Sequence, residues 1–293
     1  MNSVACTACA SNDSRHELST GGFDVYRCAR CSHAFVPDRG LAAKLDAAYG
    51  KAYYQSEGEG DDLSASCGYG DYLAKINQRK VAFGDRLDWL EAHGARRGAI
   101  LDYGCAVGLF VKVAEDRGWK AAGYERSAWA AQFGRDQFGI RIEQGYGEHD
   151  PFGAAAFDVV TMWDVFEHVE NPRRTLELIV HWLKPGGTLA LTTVNASSLG
   201  ARLAGRRWRH LVPPHHLQFF TRRSLTTLLA SHGFRIVAAR CSGTFLQSAA
   251  SAAPSGWRDA VDRAVGHWRL RPLVSRLDLF DEIEVLAVAP RGA

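Results

Sequence analysis

Three groups of residues in this chain have types and spacings suited to chemistry. The first is Ile100 to Gly108, I-L-D-Y-G-C-A-V-G, where two apolar residues lead into Asp102 and into a turn framed by Gly104 and Gly108. Glycine takes backbone angles closed to other residues and lets a ligand approach the main chain, and a carboxylate at Asp102 can accept hydrogen bonds from a cationic or hydroxylated group. Glu125, 23 residues after Asp102, closes the short strand W-K-A-A-G-Y-E. A carboxylate at that place can take both ribose hydroxyls of a nucleoside in one bidentate contact. These residues alone serve a dinucleotide or another nucleoside-bearing cofactor equally well.

The second group is Cys6, Cys9, Cys28 and Cys31, which read C-x2-C, 18 intervening residues, then C-x2-C. Four thiolates so spaced fit a closed tetrahedral zinc site with no open position for substrate, so the expected role of the metal is structural. A pair of disulfides is the competing reading, and it requires an oxidising compartment. The third group supplies protons or takes them: Asp164, Glu167 and His168 form D-x-x-E-H, and His215 and His216 lie in P-P-H-H-L-Q-F-F-T. Imidazole and carboxylate can both remove a proton from a hydroxyl near neutral pH.

These groups need a scaffold that brings them together. Leu109, Phe110, Val111 and Val113 repeat with helical spacing after the glycine turn, so strand, turn and helix follow one another. That is the first unit of an open α/β sheet, whose ligands bind beyond the carboxyl ends of the strands. An aspartate two places before the first glycine, with G-C-A-V-G in place of G-x-G-x-x-G, resembles motif I of class I S-adenosylmethionine-dependent methyltransferases, with Ala106 where a second glycine is usual. F-D-V-V-T-M-W-D-V-F-E-H-V at 157–169 is similar to the family's fourth strand and following loop, and K-P-G-G at 184–187 to the turn before the fifth. H-L-Q-F-F-T at 216–221, with Gly233 and Phe234, is similar to elements of a bacterial subgroup related to ubiquinone O-methyltransferases.

The resemblance implies a Rossmann-like seven-stranded methyltransferase sheet with helices on both faces, beside a small amino-terminal zinc ribbon held by the four cysteines. It implies S-adenosylmethionine as cofactor, held by Asp102, Gly104, Cys105, Ala106, Gly108, Glu125, Tyr146 and Trp163, with Arg79 meeting the methionine carboxylate. His216 is the first choice of catalytic base, ahead of His168, with His215 and Asp164 beside them. D-x-x-E-H resembles the E-x-x-E-H of the ubiquinone-type enzymes, which implies a divalent cation, although Asp164 shortens the first arm.

The expected domains are a ribbon over 1–40, a helical linker or lid over 41–95, and a methyltransferase domain over 96–293 with an acceptor-side insertion at 195–221. Tyr49, Tyr53, Tyr54, Tyr69 and Tyr72 in the lid either pack on the sheet or touch ligand. R-R-W-R-H at 206–210 either faces solvent or recognises an anionic acceptor. At 293 residues the chain can bury about three quarters of its unfolded surface. A net charge of +3 gives no argument for nucleic acid, no run of 18 apolar residues occurs, and the polar start M-N-S-V-A-C-T-A-C is not expected to act as a signal peptide. The expected protein is cytoplasmic, without a membrane span, and acts on a small-molecule acceptor by O-methylation. Alternatives are C- or N-methylation of a nucleotide-linked sugar or natural product, or ribosomal RNA methylation through the ribbon. A tail over 243–281, with Trp257, Val261, Val265 and Trp268 in helical spacing, covers the acceptor, packs on the sheet or joins a homodimer.

Overall fold

The computed structural model describes residues 4–37, 54, 76–147, 149–243 and 278–291. Most of the lid (Tyr49, Tyr53, Tyr69 and Tyr72 included), Cys67 and the helical tail with Trp257 and Trp268 lie outside the described residues. Three short strands come first: β1 (Ser14–Thr20), β2 (Phe23–Cys28) and β3 (Ala34–Phe35). After α1 (Ile76–Ala92), strands and helices alternate: β4 (Ala99–Tyr103), α2 (Leu109–Asp116), β5 (Lys120–Glu125), α3 (Ala128–Phe138), β6 (Ile142–Gln144), β7 (Phe157–Trp163), α4 (Pro172–Trp182), β8 (Leu183–Val194). The chain continues through α5 (Leu199–Ala204), β9 (Gln218–Phe219), α6 (Arg222–Ser231), β10 (Arg235–Ser242) and β11 (Glu282–Val288).

Seven strands form one sheet in the order β10-β11-β8-β7-β4-β5-β6. Neighbours from β8 to β6 pair in parallel, and β11 runs antiparallel between β8 and β10. A parallel sheet is covered on both faces, so its strands read as nearly continuous apolar runs, as Val159, Val160 and Met162 do in β7. Phe83, Leu87 and Leu90 of α1 pack with Leu109 and Phe110 of α2 against Ile100 and Val159. Leu176 and Ile179 of α4 pack with Leu225 and Leu228 of α6 against Leu101 and Val160 in a second cluster. After β6 the chain crosses to the other side of β4, so a crevice opens between the carboxyl ends of β4 and β7. Gly104 and Asp164 directly follow those ends.

Two boundaries differ from the sequence expectation. β8 starts at Leu183 and not at Thr188, because Phe157 pairs with Leu183 before a register shift carries Val159 to Thr188. The K-P-G-G segment is thus absorbed as an irregularity within the strand, with Gly186 at φ 75°. The stretch expected as an acceptor-side insertion also contributes β9, which completes the amino-terminal sheet in the order β1-β2-β3-β9. Ala34 pairs with Phe219 and Phe35 with Gln218.

Candidate functional site

The glycine turn is built by three left-handed residues, Gly104 (φ 74°), Ala106 (φ 51°) and Gly108 (φ 76°). The amides of Gly104 and Cys105 both donate to the Tyr124 carbonyl, at 2.7 and 3.3 Å, which ties the turn to the end of β5. A β-carbon at Gly104 would lie 2.6 Å from Val165 Cγ2, so glycine is required by space as well as by backbone angle. Ala106 accepts the left-handed region at a cost of about 1–2 kcal/mol relative to glycine. Its N–H donates to Glu125 Oε2 at 2.8 Å, while the Ser127 N–H donates to Oε1 at 2.7 Å. Burial raises the Glu125 carboxyl above its ordinary range, and these two amides oppose the rise. The Tyr54 hydroxyl also donates to Oε1, at 3.4 Å.

Gly104, Ala106, Glu125 and Tyr146 line one pocket together with Asp164 and His168. Other residues expected to hold cofactor lie outside its lining. Asp102 is buried beneath the turn, where Thr161 Oγ1 donates to it at 2.6 Å, and burial pushes its carboxyl up to about 7. The Cys105 side chain packs with Ile140 and Ile142, so only its backbone belongs to the turn. Gly108 caps α2, and a β-carbon there would meet Ile140 Cδ1 at 2.3 Å, so it serves close packing of helix on strand. Trp163 is buried under the Arg86 guanidinium, 4.6 Å above its ring. Arg79 is half-buried on α1, away from the pocket lining.

One imidazole, that of His168, lines the pocket, and the His216 ring packs against it. Nδ1 of His168 lies 2.7 Å from the His215 carbonyl, and Nδ1 of His216 lies 2.8 Å from the His210 carbonyl. A carbonyl only accepts, so each Nδ1 carries the proton and each Nε2 keeps its lone pair. The two rings meet edge to face with centroids 4.8 Å apart. His168 lines the pocket, whereas His216 is buried behind it and His215 contributes its carbonyl. Burial lowers the His168 pKa to about 4 and that of His216 well below the ordinary value. Glu167, His168 and His216 place ligand atoms within 4.8 Å of one another. Asp164 is outside that group; it has φ 59° and pairs with Arg86 at 3.2 Å.

The four amino-terminal cysteines also converge, within 4.8 Å. The Cys6 and Cys31 sulfurs are 3.6 Å apart, as are those of Cys9 and Cys28. A tetrahedron of sulfurs around zinc at about 2.3 Å has edges of about 3.8 Å, so the quartet fits that ion. All four are free thiols, and the two knuckles share one backbone plan. The Cys6 carbonyl accepts from Ala10 and the Cys28 carbonyl from Ser32, each at 2.9 Å, with Ala10 and Ser32 at φ 57° and 63°. Each of these residues follows the second cysteine of its pair, where the left-handed step turns both sulfurs inward.

A family model described as a methyltransferase domain matches residues 63–239. The chain belongs to the class I S-adenosylmethionine-dependent methyltransferase family. It is 32% identical over 117 residues to a ubiquinone biosynthesis O-methyltransferase of Azoarcus sp., covering 38% of this chain and 50% of that one. The same name is carried by a relative in Erwinia tasmaniensis, 30% identical over 169 residues, covering 55% of this chain and 63% of that one. The chain thus spans about half the length of the first of these relatives. A solved SAM-dependent methyltransferase from Archaeoglobus fulgidus shares the fold at 17% identity, with a TM-score of 0.52 over 74% of this chain and 98% of that one.

Within this methyltransferase domain, three residues that sequence reading passed over carry the site. Arg86 lies on the same face of α1 as Arg79, two turns on, and it is this later arginine that pairs with Asp164. Arg126, directly after Glu125, lines the pocket, pairs with Glu170 at 3.1 Å and lies 3.9 Å above the Tyr146 ring. Gln218 joins the two sheets: Oε1 accepts from Thr7 at 2.7 Å and faces His33 Nε2 at 2.9 Å, and Nε2 donates to the Val169 carbonyl at 3.0 Å. The only sequence signal for Gln218 was its place in the H-L-Q-F-F element.

Proposed function

We propose that this chain transfers the sulfonium methyl of S-adenosylmethionine to an oxygen of a small-molecule acceptor, with His168 taking the acceptor's proton. The observation that carries the reading is the single pocket shared by Gly104, Ala106, Glu125 and His168. A nucleoside held at the turn and a hydroxyl facing the His168 wall then meet in one crevice. Glu125 is the acceptor for the ribose hydroxyls, and the Tyr54 hydroxyl beside it occupies the same kind of contact. Methyl transfer is an in-line displacement, so aligning acceptor, methyl and sulfur supplies about 7–11 kcal/mol of the barrier reduction. The O-methyltransferase names of the curated relatives support oxygen as the atom methylated.

In the same reading Cys6, Cys9, Cys28 and Cys31 hold a structural zinc, residues 1–40 act as a ribbon, and 41–95 cover the cofactor. Four reduced thiols suit the cytoplasm. The described residues contain no helix long and apolar enough to cross a membrane. A divalent cation also fits at Glu167, His168 and His216, because both histidines turn an Nδ1–H to a backbone carbonyl, as metal-ligating histidines do. Bound there, it would lower the pKa of an acceptor hydroxyl.

Calorimetry with S-adenosylmethionine tests the cofactor site. Glu125→Gln is expected to weaken binding about 10- to 100-fold, the loss of one or two hydrogen bonds to a charged group. Mass spectrometry of products from a panel of phenols, sugar alcohols and amines tests the acceptor. Oxygen-methylated products support the assignment, and products methylated solely on nitrogen or carbon overturn it.

A further inference from the structure

A second cavity lies away from the glycine turn, between the ribbon and the face formed by α5, the short turn after it and the start of α6. Among the described residues it encloses about 690 Å3, within the range of small-molecule sites. One wall is apolar, built by Val25, Ala34 and Phe219 of the amino-terminal sheet with Trp208 and Leu211. Five arginines line the rest: Arg27, Arg202, Arg206, Arg222 and Arg223. Two carboxylates face them, Glu17 against Arg27 at 2.8 Å and Asp278 against Arg222 at 3.6 Å. Arg202, Arg206 and Arg223 come from three separate elements and have no carboxylate partner among the described residues. A concave space with three excess guanidinium groups and an apolar wall is complementary to an amphiphilic anion. Guanidinium forks match phosphate oxygens in paired hydrogen bonds, which favours phosphate over a single-point anion.

A row of packed rings separates the cavity from the pocket at the turn. Trp208 on the cavity wall meets His210 at 5.3 Å between ring centroids, His210 meets His216 at 5.8 Å, and His216 meets His168 at 4.8 Å. Trp208 lines the cavity and His168 the pocket, so this row of rings stands between the two spaces. His210 is fixed in that row by Asp281, 3.1 Å away.

We infer that this cavity is a recognition site for phosphate-bearing small molecules, distinct from the pocket at the glycine turn. The ribbon then has a role besides closing around its metal: Arg27, Val25 and Ala34 form part of the wall of this second site.

The zinc-bearing full chain is to be titrated with inorganic diphosphate and with ADP, following Trp fluorescence and heat. Saturable binding is expected, weakened about tenfold or more by each of Arg202→Gln and Arg223→Gln, with S-adenosylmethionine affinity unchanged. Both arginines are exposed, and circular dichroism will show that the variants fold. Absence of saturable binding, or binding indifferent to both substitutions, overturns the site. Structured RNA that binds more tightly than diphosphate, with a steep salt dependence lost in the same variants, also overturns it, since the surface would then read a nucleic-acid backbone. Failure to bind S-adenosylmethionine while diphosphate still binds would instead remove the methyltransferase reading and leave the phosphate site standing.

Discussion

Stripping the metal from the cysteine quartet, or replacing Cys28 by serine, is expected to unfold the ribbon and to loosen the histidine wall with it. A structural zinc contributes on the order of 10 kcal/mol to the unit that holds it. A unit of about 35 residues buries too little apolar surface to fold without such help. The consequence travels because the ribbon is hydrogen-bonded to the site. β3 pairs with β9, the Val36 amide donates to the Leu217 carbonyl at 2.8 Å, and the Glu167 carbonyl accepts from the amides of Leu217 and Gln218 at 2.8 and 2.9 Å. His33 is buried between Phe35 and Phe220, with ring centroids at 5.8 and 4.5 Å, and reaches Gln218. Gln218 in turn holds the carbonyls of Val169 and Glu170. Metal analysis should find one zinc per chain. After its removal, hydrogen exchange should show residues 4–37 and 163–170 losing protection together while β4 and β5 keep theirs. Unchanged protection at 163–170 would mean that ribbon and site are independent.

Local rules carried the sequence reading as far as local rules reach. The turn at Gly104, the carboxylate at Glu125 and the two cysteine knuckles are each set by a few consecutive residues, and all three are present as geometry. The strand, turn and helix after Ile100 follow from local apolar spacing, whereas the seven-stranded sheet was implied by the resemblance of several motifs in family order. What stayed illegible depends on partners far apart in the chain. Gln218 and His33 are separated by 185 residues, and nothing near either announces the other. Arg79 and Arg86 share a helix face, so only the distance from α1 to β7 decides which of them meets Asp164. His216 and His168 are both histidines beside a crevice, and their order from the pocket inward depends on how the loop after β8 folds back. Gly108 looked like a ligand contact because ligand approach and close helix packing demand the same missing side chain. R-R-W-R-H at 206–210 offered anion recognition as one of two readings, but the cavity that Arg206 and Trp208 line exists only once β9 brings the ribbon against α5 and α6.

His168→Ala is expected to lower kcat about 100- to 10,000-fold at saturating S-adenosylmethionine while leaving cofactor affinity within about twofold, the range for loss of a positioned general base. The ring is fixed at Nδ1 by the His215 carbonyl, and it is the imidazole that lines the pocket. Burial lowers its pKa to about 4, with the Asp164 carboxylate among the groups opposing that fall. A base works only when deprotonated, so a lowered pKa keeps His168 competent at any pH above about 4. The acid limb of kcat in the wild-type enzyme should therefore lie well below the ordinary imidazole midpoint of about 6.5. Activity that halves near about pH 6.5 at saturating cofactor would mean that the imidazole is not depressed in the loaded enzyme, and the loss or survival of rate in His168→Ala then decides whether it is the base. His216→Gln should cost much less, because that ring backs His168 and does not line the pocket. The metal alternative is separated by a mild chelator that leaves one zinc per chain in the cysteine site. A wild-type rate indifferent to it supports the base, whereas a rate lost and then restored by an added divalent cation makes Glu167, His168 and His216 ligands. In that case His216→Gln and His168→Ala should be equally damaging, since each removes one donor from the same ion.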